Sequence, residues 1–188
     1  GLVTNVSSLY GINSSPATRA GIIGLDTSHS IAFTQALNSA EAGPEFGGYK
    51  VVAAYPKGSD DIKSSVDRIP GYIEQVKNLG VEIVYSIDEL LTKVDVIFLE
   101  TNDGRLHLEQ ALPVFKAGKR MFIDKPIAAS LPDAVSIFEA SKHFNVPVFS
   151  NLDNTLAEEN IVLVILSASF TTLSSIVSIF IAISASIS

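Results

Sequence analysis

From about Arg19 to Ser150, short and nearly unbroken apolar runs alternate with longer amphipathic stretches. Arg19-Ala-Gly-Ile-Ile-Gly24 reads as a buried strand, because a parallel sheet covered on both faces removes the in–out alternation of an exposed one. The same holds for Tyr49-Lys-Val-Val-Ala-Ala-Tyr55, Val81-Glu-Ile-Val84, Val94-Asp-Val-Ile-Phe-Leu99, Arg120-Met-Phe-Ile123 and Val146-Pro-Val-Phe149. Helices are predicted between them over 28–39, over parts of 61–79, from Ser86, over 106–117 and over 130–144. In the second, Ile69-Pro-Gly71 predicts a break between two helices. Ser86 with Glu89 has capping-box spacing. Ser130, followed by Leu131-Pro132, is a helix start that tolerates proline in the first turn.

Six strands alternating with helices through short links predict an α/β fold. It is a doubly wound parallel sheet, Rossmann-like and three-layered. Ligands in such sheets sit at the carboxyl ends of the strands, where strand order reverses. Around this unit the pattern changes. Residues 1–18 are rich in Ser, Asn, Gly and Thr and read as a flexible lead-in without the apolar run of a signal peptide. Residues 151–188 form an atypical hydrophobic C-terminal tail: 151–160 is polar and acidic, and from Ile161 to Ser188 no residue is charged. Those last 28 residues exceed the roughly 20 needed to cross a bilayer. Three readings stand: a membrane span, a packed or swapped apolar segment, and a stretch foreign to this fold through truncation or a frame change. The third is the favoured expectation.

A net charge of −7 without a basic block argues against nucleic acid as a partner. The absence of cysteine excludes disulfides, thiolate metal sites and a cysteine nucleophile. It is compatible with a reducing compartment, and a cytoplasmic location is the expectation. No metal site is assigned from the sequence.

Candidate chemistry gathers at the predicted strand ends. Gly24-Leu-Asp-Thr-Ser-His-Ser30 joins the first strand to a helix N-terminus, where free N–H groups and the helix dipole favour a phosphate. Thr27 and Ser28 add hydroxyl donors. The fingerprint G-x-G-x-x-G is not present: Asp26 occupies the second glycine position and His29 the third. A carboxylate there repels pyrophosphate; alternatively, Asp26 caps the helix. His29 reads either as a polar group facing the cleft or as a surface histidine. At the end of the second strand, Tyr55-Pro56-Lys57-Gly58 lacks the usual ribose-binding carboxylate, and Lys57 leans the cofactor toward NADP over NAD. Thr101, Asn102 and His107 follow the fourth strand, and Asp124-Lys125-Pro126 follows the fifth. Lys125 suits a substrate hydroxyl or a nicotinamide; otherwise it forms a surface ion pair.

Taken in order, these segments resemble the Gfo/Idh/MocA family, the glucose–fructose oxidoreductase and inositol dehydrogenase group. The most specific part runs from Val94-Asp-Val-Ile-Phe-Leu-Glu-Thr101 through His107 and Ala117-Gly118-Lys119 to Asp124-Lys125-Pro126, where the family usually has Glu-Lys-Pro. The resemblance implies an NAD(P)-binding Rossmann domain of an oxidoreductase that moves a hydride to or from a sugar or polyol. Lys125 is the implied catalytic residue. Gly24, Asp26, Thr27, Ser28, His29, Tyr55, Lys57, Thr101, Asn102, His107, Asp124 and Pro126 are the expected cofactor-binding positions. The family carries a second α/β domain that supplies most substrate contacts and the oligomer interface. Only residues 151–188 follow here, so the chain is expected to be incomplete as a catalyst, and a homo-oligomer is left open. The alternatives are a non-catalytic dinucleotide-binding module, a module tethered to a membrane by its tail, and a non-enzymatic interaction domain.

Overall fold

In the computed structural model, residues 17–43, 46–152 and 161–164 are described. Pro44, the lead-in up to residue 16, and the tail apart from 151–152 and 161–164 lie outside the described residues. The apolar runs become β1 (Thr18–Ile23), β2 (Tyr49–Tyr55), β3 (Glu82–Ile83), β4 (Val96–Leu99), β5 (Arg120–Ile123) and β6 (Val148–Leu152). They form one parallel sheet in the order β3-β2-β1-β4-β5-β6. A further strand, β7 (Ile161–Val164), pairs antiparallel with β6 at the edge. The first four residues of the uncharged segment are therefore a sheet strand, and its remainder lies outside the described residues. No helix among the described residues is long and apolar enough to cross a membrane.

Side chains one apart along a strand point to opposite faces, which divides the core in two. Ile22, Val96, Phe98, Phe122 and Phe149 face one layer with Phe33 and Val76. Ile23, Ile97, Leu99, Met121, Ile123 and Val148 face the other with Leu90, Val114, Phe115 and Ile137. Helices α1 (Ser28–Asn38) and α2 (Lys63–Asn78) cover the first face; α3 (Ile87–Lys93), α4 (His107–Lys116) and α5 (Leu131–Phe144) cover the second. The ring of Phe33 lies 5.3 Å from that of Phe98 and 6.1 Å from that of Phe122, a spacing at which tilted aromatic pairs attract.

The predicted break at Ile69-Pro70-Gly71 does not occur: α2 runs through Pro70. Proline removes one helical hydrogen bond, to the carbonyl of residue 66. Val66 and Pro70 are both exposed, so water reaches the freed group, while Val76 anchors the helix from its buried side. Ser86 does cap α3, its Oγ accepting from the Glu89 N–H, and Glu89 Oε2 accepts from the N–H of Tyr85, one residue before the cap. Ser130 caps α5 through the N–H of Asp133. Asn38 ends α1 and substitutes for a strand. Its side chain donates to Val51 O (2.8 Å) and Leu79 O (3.1 Å) and accepts from Val51 N (2.9 Å). Because β3 pairs only with Ala53 and Ala54, this amide satisfies the strand backbone that β3 does not reach.

Candidate functional site

Strand order reverses between β1 and β4, and the ends of β1, β4 and β5 meet there. Gly24 makes the turn after β1 with φ +90°, and an added Cβ would lie 2.5 Å from Thr101 N. Glycine thus lets the β1 turn lie directly against the end of β4. Thr27 then caps α1: its Oγ1 accepts from the Ser30 N–H at 3.4 Å and donates to the Glu100 carbonyl at 3.3 Å. Ser28 is exposed on the first turn, where helical N–H groups have no partner within the helix.

Asp26 does not cap the helix. Its carboxylate is fully buried, and Oδ1 accepts from the Asn102 N–H at 3.0 Å. The loop after β2 folds over it: a Cβ on Gly58 would come within 2.3 Å of Asp26 Oδ2. The carboxylate is therefore turned beneath the turn, away from the face open to a ligand. His107 is likewise not on an open wall. It is fully buried at the start of α4, with Nε2 2.7 Å from Thr101 O and Nδ1 3.1 Å from Ile127 O. It ties the loop after β4 to the loop after β5. Thr101 is also fully buried, whereas Asn102 and Pro126 are exposed and Lys125 half-buried. The Lys125–Pro126 peptide is cis. Lys125 has no hydrogen bond or ion pair among the described residues, which leaves its ammonium available.

His29, on the first turn of α1, reaches across the reversal point, its Nδ1 2.6 Å from Asp124 Oδ2. Asp124 is nearly buried. Beside this pair lies Glu100, wholly buried directly after the apolar run of β4. Burial pushes its carboxyl well above the usual range; the charge of Asp124 adds to this, Lys125 opposes it, and Asp26 adds again. The sequence reading passed over Glu100. Its signal was a charged residue immediately following a strand with no polar position.

A second group surrounds a cavity of about 520 Å³ between the loop after β2 and the start of α4, lined by Tyr55, Lys57, Ser59, Asp61, Arg105 and Gln110 among others. Arg105 holds Asp103 with Nε at 2.9 Å and Nη2 at 2.7 Å, and donates to both oxygens of Asp61. The Arg105 hydrogen bonds bring the Asp103 carboxyl down to about 2, lower Asp61 and raise the guanidinium. Ser59 Oγ lies 2.6 Å from Asp61 Oδ1 and 2.8 Å from Asp103 Oδ2. This network was also missed by sequence reasoning. Tyr55 and Lys57 do line the cavity, and Lys57 pairs loosely with Asp60 at 3.5 Å.

Comparison with known proteins places this geometry. A family model described as the oxidoreductase family with the NAD-binding Rossmann fold matches residues 18–143. An uncharacterized oxidoreductase of Streptococcus pneumoniae serotype 4 is 31% identical over 98 residues, half of this chain and 26% of that protein. Among solved structures, the WlbA dehydrogenase from Bordetella pertussis, in complex with NADH and UDP-GlcNAcA, superposes with a TM-score of 0.56 at 21% identity. A 3-ketoreductase from Actinomadura kijaniata, in complex with TDP-benzene and NADP, gives 0.50 at 25% identity. These matches cover 72% and 71% of this chain but only 35% and 37% of those two. The chain thus corresponds to about a third of the length of the solved relatives.

Proposed function

Because the chain belongs to the Gfo/Idh/MocA oxidoreductase family, matched over its NAD-binding Rossmann fold at residues 18–143, we propose that the edge formed by β1, β4 and β5 holds a nicotinamide dinucleotide and that Lys125 serves hydride transfer to or from a sugar-type substrate. The observation that carries this reading is the meeting, at one reversal point, of the α1 N-terminus, the Thr101-Asn102 turn and Lys125. The residues present fit the group. Ser28 and His29 head a helix of 11 residues whose first N–H groups face a diphosphate, and the Asp26 carboxylate, which would repel it, is buried and bonded to Asn102. When bound, the nicotinamide supplies the hydride chemistry. Lys125 contributes a half-buried cation with no hydrogen bond or close ion pair among the described residues, suited to hold and polarise the oxygen of a carbinol or ketone. His29 sits on the same rim, and Pro126 shapes the loop beside it.

At the other end, the cavity at Tyr55 and Lys57 takes the adenosine ribose. Lys57 favours a 2′-phosphate, as the sequence suggests. Against it, Asp60, Asp61, Asp103 and Glu109 line the same cavity, with Arg105 already engaged by two of them. The acidic excess favours a ribose hydroxyl, so NAD is the proposed cofactor. A sugar or polyol is the proposed substrate class, drawn from the family and in keeping with the sugar nucleotide in the WlbA complex.

Calorimetric titration of the chain with NADH and NADPH tests the cofactor, and oxidation of UDP-sugars by the chain with NAD tests the chemistry. NADH is expected to bind more tightly than NADPH. Little or no turnover is expected from this chain, which matches only about a third of its solved relatives; Lys125→Met should abolish any that is seen while leaving NADH affinity unchanged. Absence of binding by either dinucleotide refutes the reading, and binding without turnover under any substrate leaves a non-catalytic binding module.

A further inference from the structure

We propose that His29, Glu100 and Asp124 form a binding site for one divalent transition-metal ion. The three come from different elements: the first turn of α1, the residue after β4 and the residue after β5. The strand order sets those elements side by side, and one ligand atom from each lies within 4.8 Å of the other two.

The second observation concerns unmet polar atoms. Both carboxylate oxygens of Glu100 and Oδ1 of Asp124 are buried without a hydrogen-bond partner among the described residues. Glu100 is 0% exposed and Asp124 3%. Buried polar atoms of this kind are destabilising unless something satisfies them. A proton on Glu100 removes its charge and provides one O–H donor, which can serve one neighbouring acceptor but leaves the other Glu100 oxygen without a partner among the described residues. Nor does the local cation suffice. Lys125 is the cation acting on Glu100, set against the carboxylates of Asp124 and Asp26. A dication at the common point answers both deficits, giving the orphaned oxygens a partner and the cluster a counter-charge.

The donor set narrows the class of ion. One imidazole nitrogen with two carboxylates suits zinc, manganese or ferrous iron better than calcium or magnesium, which favour all-oxygen shells. Metal–ligand bonds of about 2.0–2.2 Å put neighbouring donors roughly 3–3.5 Å apart, so the site closes by side-chain rotation of the order of an ångström. Nδ1 of His29 then exchanges its contact with Asp124 for the ion. The His29 ring is 25% exposed, which gives an entry path from the cleft, and three protein ligands leave positions open to water or a substrate oxygen. Lys125 adjoins Asp124 and competes with the ion for the same carboxylates. The site rests on these side chains alone and does not depend on the cofactor or substrate proposed above.

The test is titration of the chelator-stripped chain with MnCl₂, followed by the electron paramagnetic resonance signal of free Mn²⁺, and with ZnCl₂ by calorimetry. One ion per chain is expected, with affinity reduced roughly 10–100-fold in Glu100→Gln and in His29→Ala. His29 lies on the rim, so its variant remains informative if Glu100→Gln fails to fold by circular dichroism. Unchanged binding in Asp88→Asn, on the far face of α3, controls for weak surface sites. No saturable binding of either ion, or binding unaltered by both site variants, overturns the proposal. Neither result bears on dinucleotide binding, which is read separately.

Discussion

Replacing Gly24 by alanine measures how tightly the β1 turn is held against β4. Two terms add. A left-handed backbone at φ +90° costs an L-residue about 1–2 kcal/mol. The new methyl would lie 2.5 Å from Thr101 N and 2.6 Å from Thr101 Cα, backbone atoms that cannot rotate away. Forcing such an overlap costs about 1–3 kcal/mol more. The sum, roughly 2–5 kcal/mol, is a large share of a domain's total stability. Gly80→Ala separates the terms, because Gly80 has φ +83° with nothing within 4 Å of its added Cβ. It carries only the backbone term, about 1–2 kcal/mol. Urea unfolding of both variants, analysed at a common slope, reads the difference directly. Gly24→Ala should lose about 1–3 kcal/mol more than Gly80→Ala, and dinucleotide affinity should fall with it, since in the proposed site the displaced turn carries the exposed Asn102 beside the cofactor. Equal losses in the two variants would refute the close approach.

Two further outcomes follow from the hydrogen-bond networks. Asp103, held down to about 2 by Arg105, stabilises the fold above the unfolded carboxyl value near 3.9, and that contribution is lost as pH falls from about 4 through 2. Glu100, raised by burial, works in the opposite sense, so the quantity to measure is the difference in urea stability between the parent and Asp103→Asn across that window. It should shrink by of the order of 1–2 kcal/mol, allowing for the solvent-exposed Arg105, and a flat difference would contradict the network. Asn38→Ala leaves the Val51 N–H and C=O without their partner and should cost about 2–3 kcal/mol by the same unfolding assay, whereas a loss below about 0.5 kcal/mol would mean that water replaces the amide freely.

Most strands were legible because a sheet buried on both faces leaves uninterrupted apolar runs, and β1, β2, β4, β5 and β6 each contain one, whereas the edge strand β3 is only the pair Glu82–Ile83, exposed and half-buried. The caps at Ser86 and Ser130 were legible because they act over three residues. Pro70 misled because its effect depends on whether the freed carbonyl faces water, which is a property of helix orientation rather than of the dipeptide. The site was the least legible. Its positions could be placed at strand ends, but not their state: Thr101, Asp26 and His107 are buried rather than lining an open wall. The contact of His29 with Asp124 spans 95 residues and that of Asn102 with Asp26 spans 76. Periodicity says nothing at such separations: Glu100 acquires its meaning from groups on another crossover, and Arg105, beyond its local pair with Asp103, from Asp61.

The altered glycine turn shows how a motif can be absent while the space it protects is kept. In G-x-G-x-x-G the second glycine removes a side chain so that backbone can approach a pyrophosphate. Here Asp26 fills that position, and its side chain is drawn inward, where the Asn102 N–H takes one oxygen. Room for the carboxylate comes from Gly58, on the loop after β2, whose missing Cβ is the atom that would collide with Asp26 Oδ2 at 2.3 Å. The small residue has in effect moved from the first loop to the second. The rim of α1 carries no acidic side chain, with Thr27 capping and Ser28 exposed, while three buried carboxyl groups, Asp26, Glu100 and Asp124, collect one layer below, Glu100 with its carboxyl pushed up by that burial. An anion-favouring rim above a buried acidic layer is a self-consistent arrangement only if the layer is neutralised. Lys125 supplies one positive charge there, burial shifts Glu100 toward its neutral form, and the two Glu100 oxygens, without partners among the described residues, are where the ion proposed above would bind.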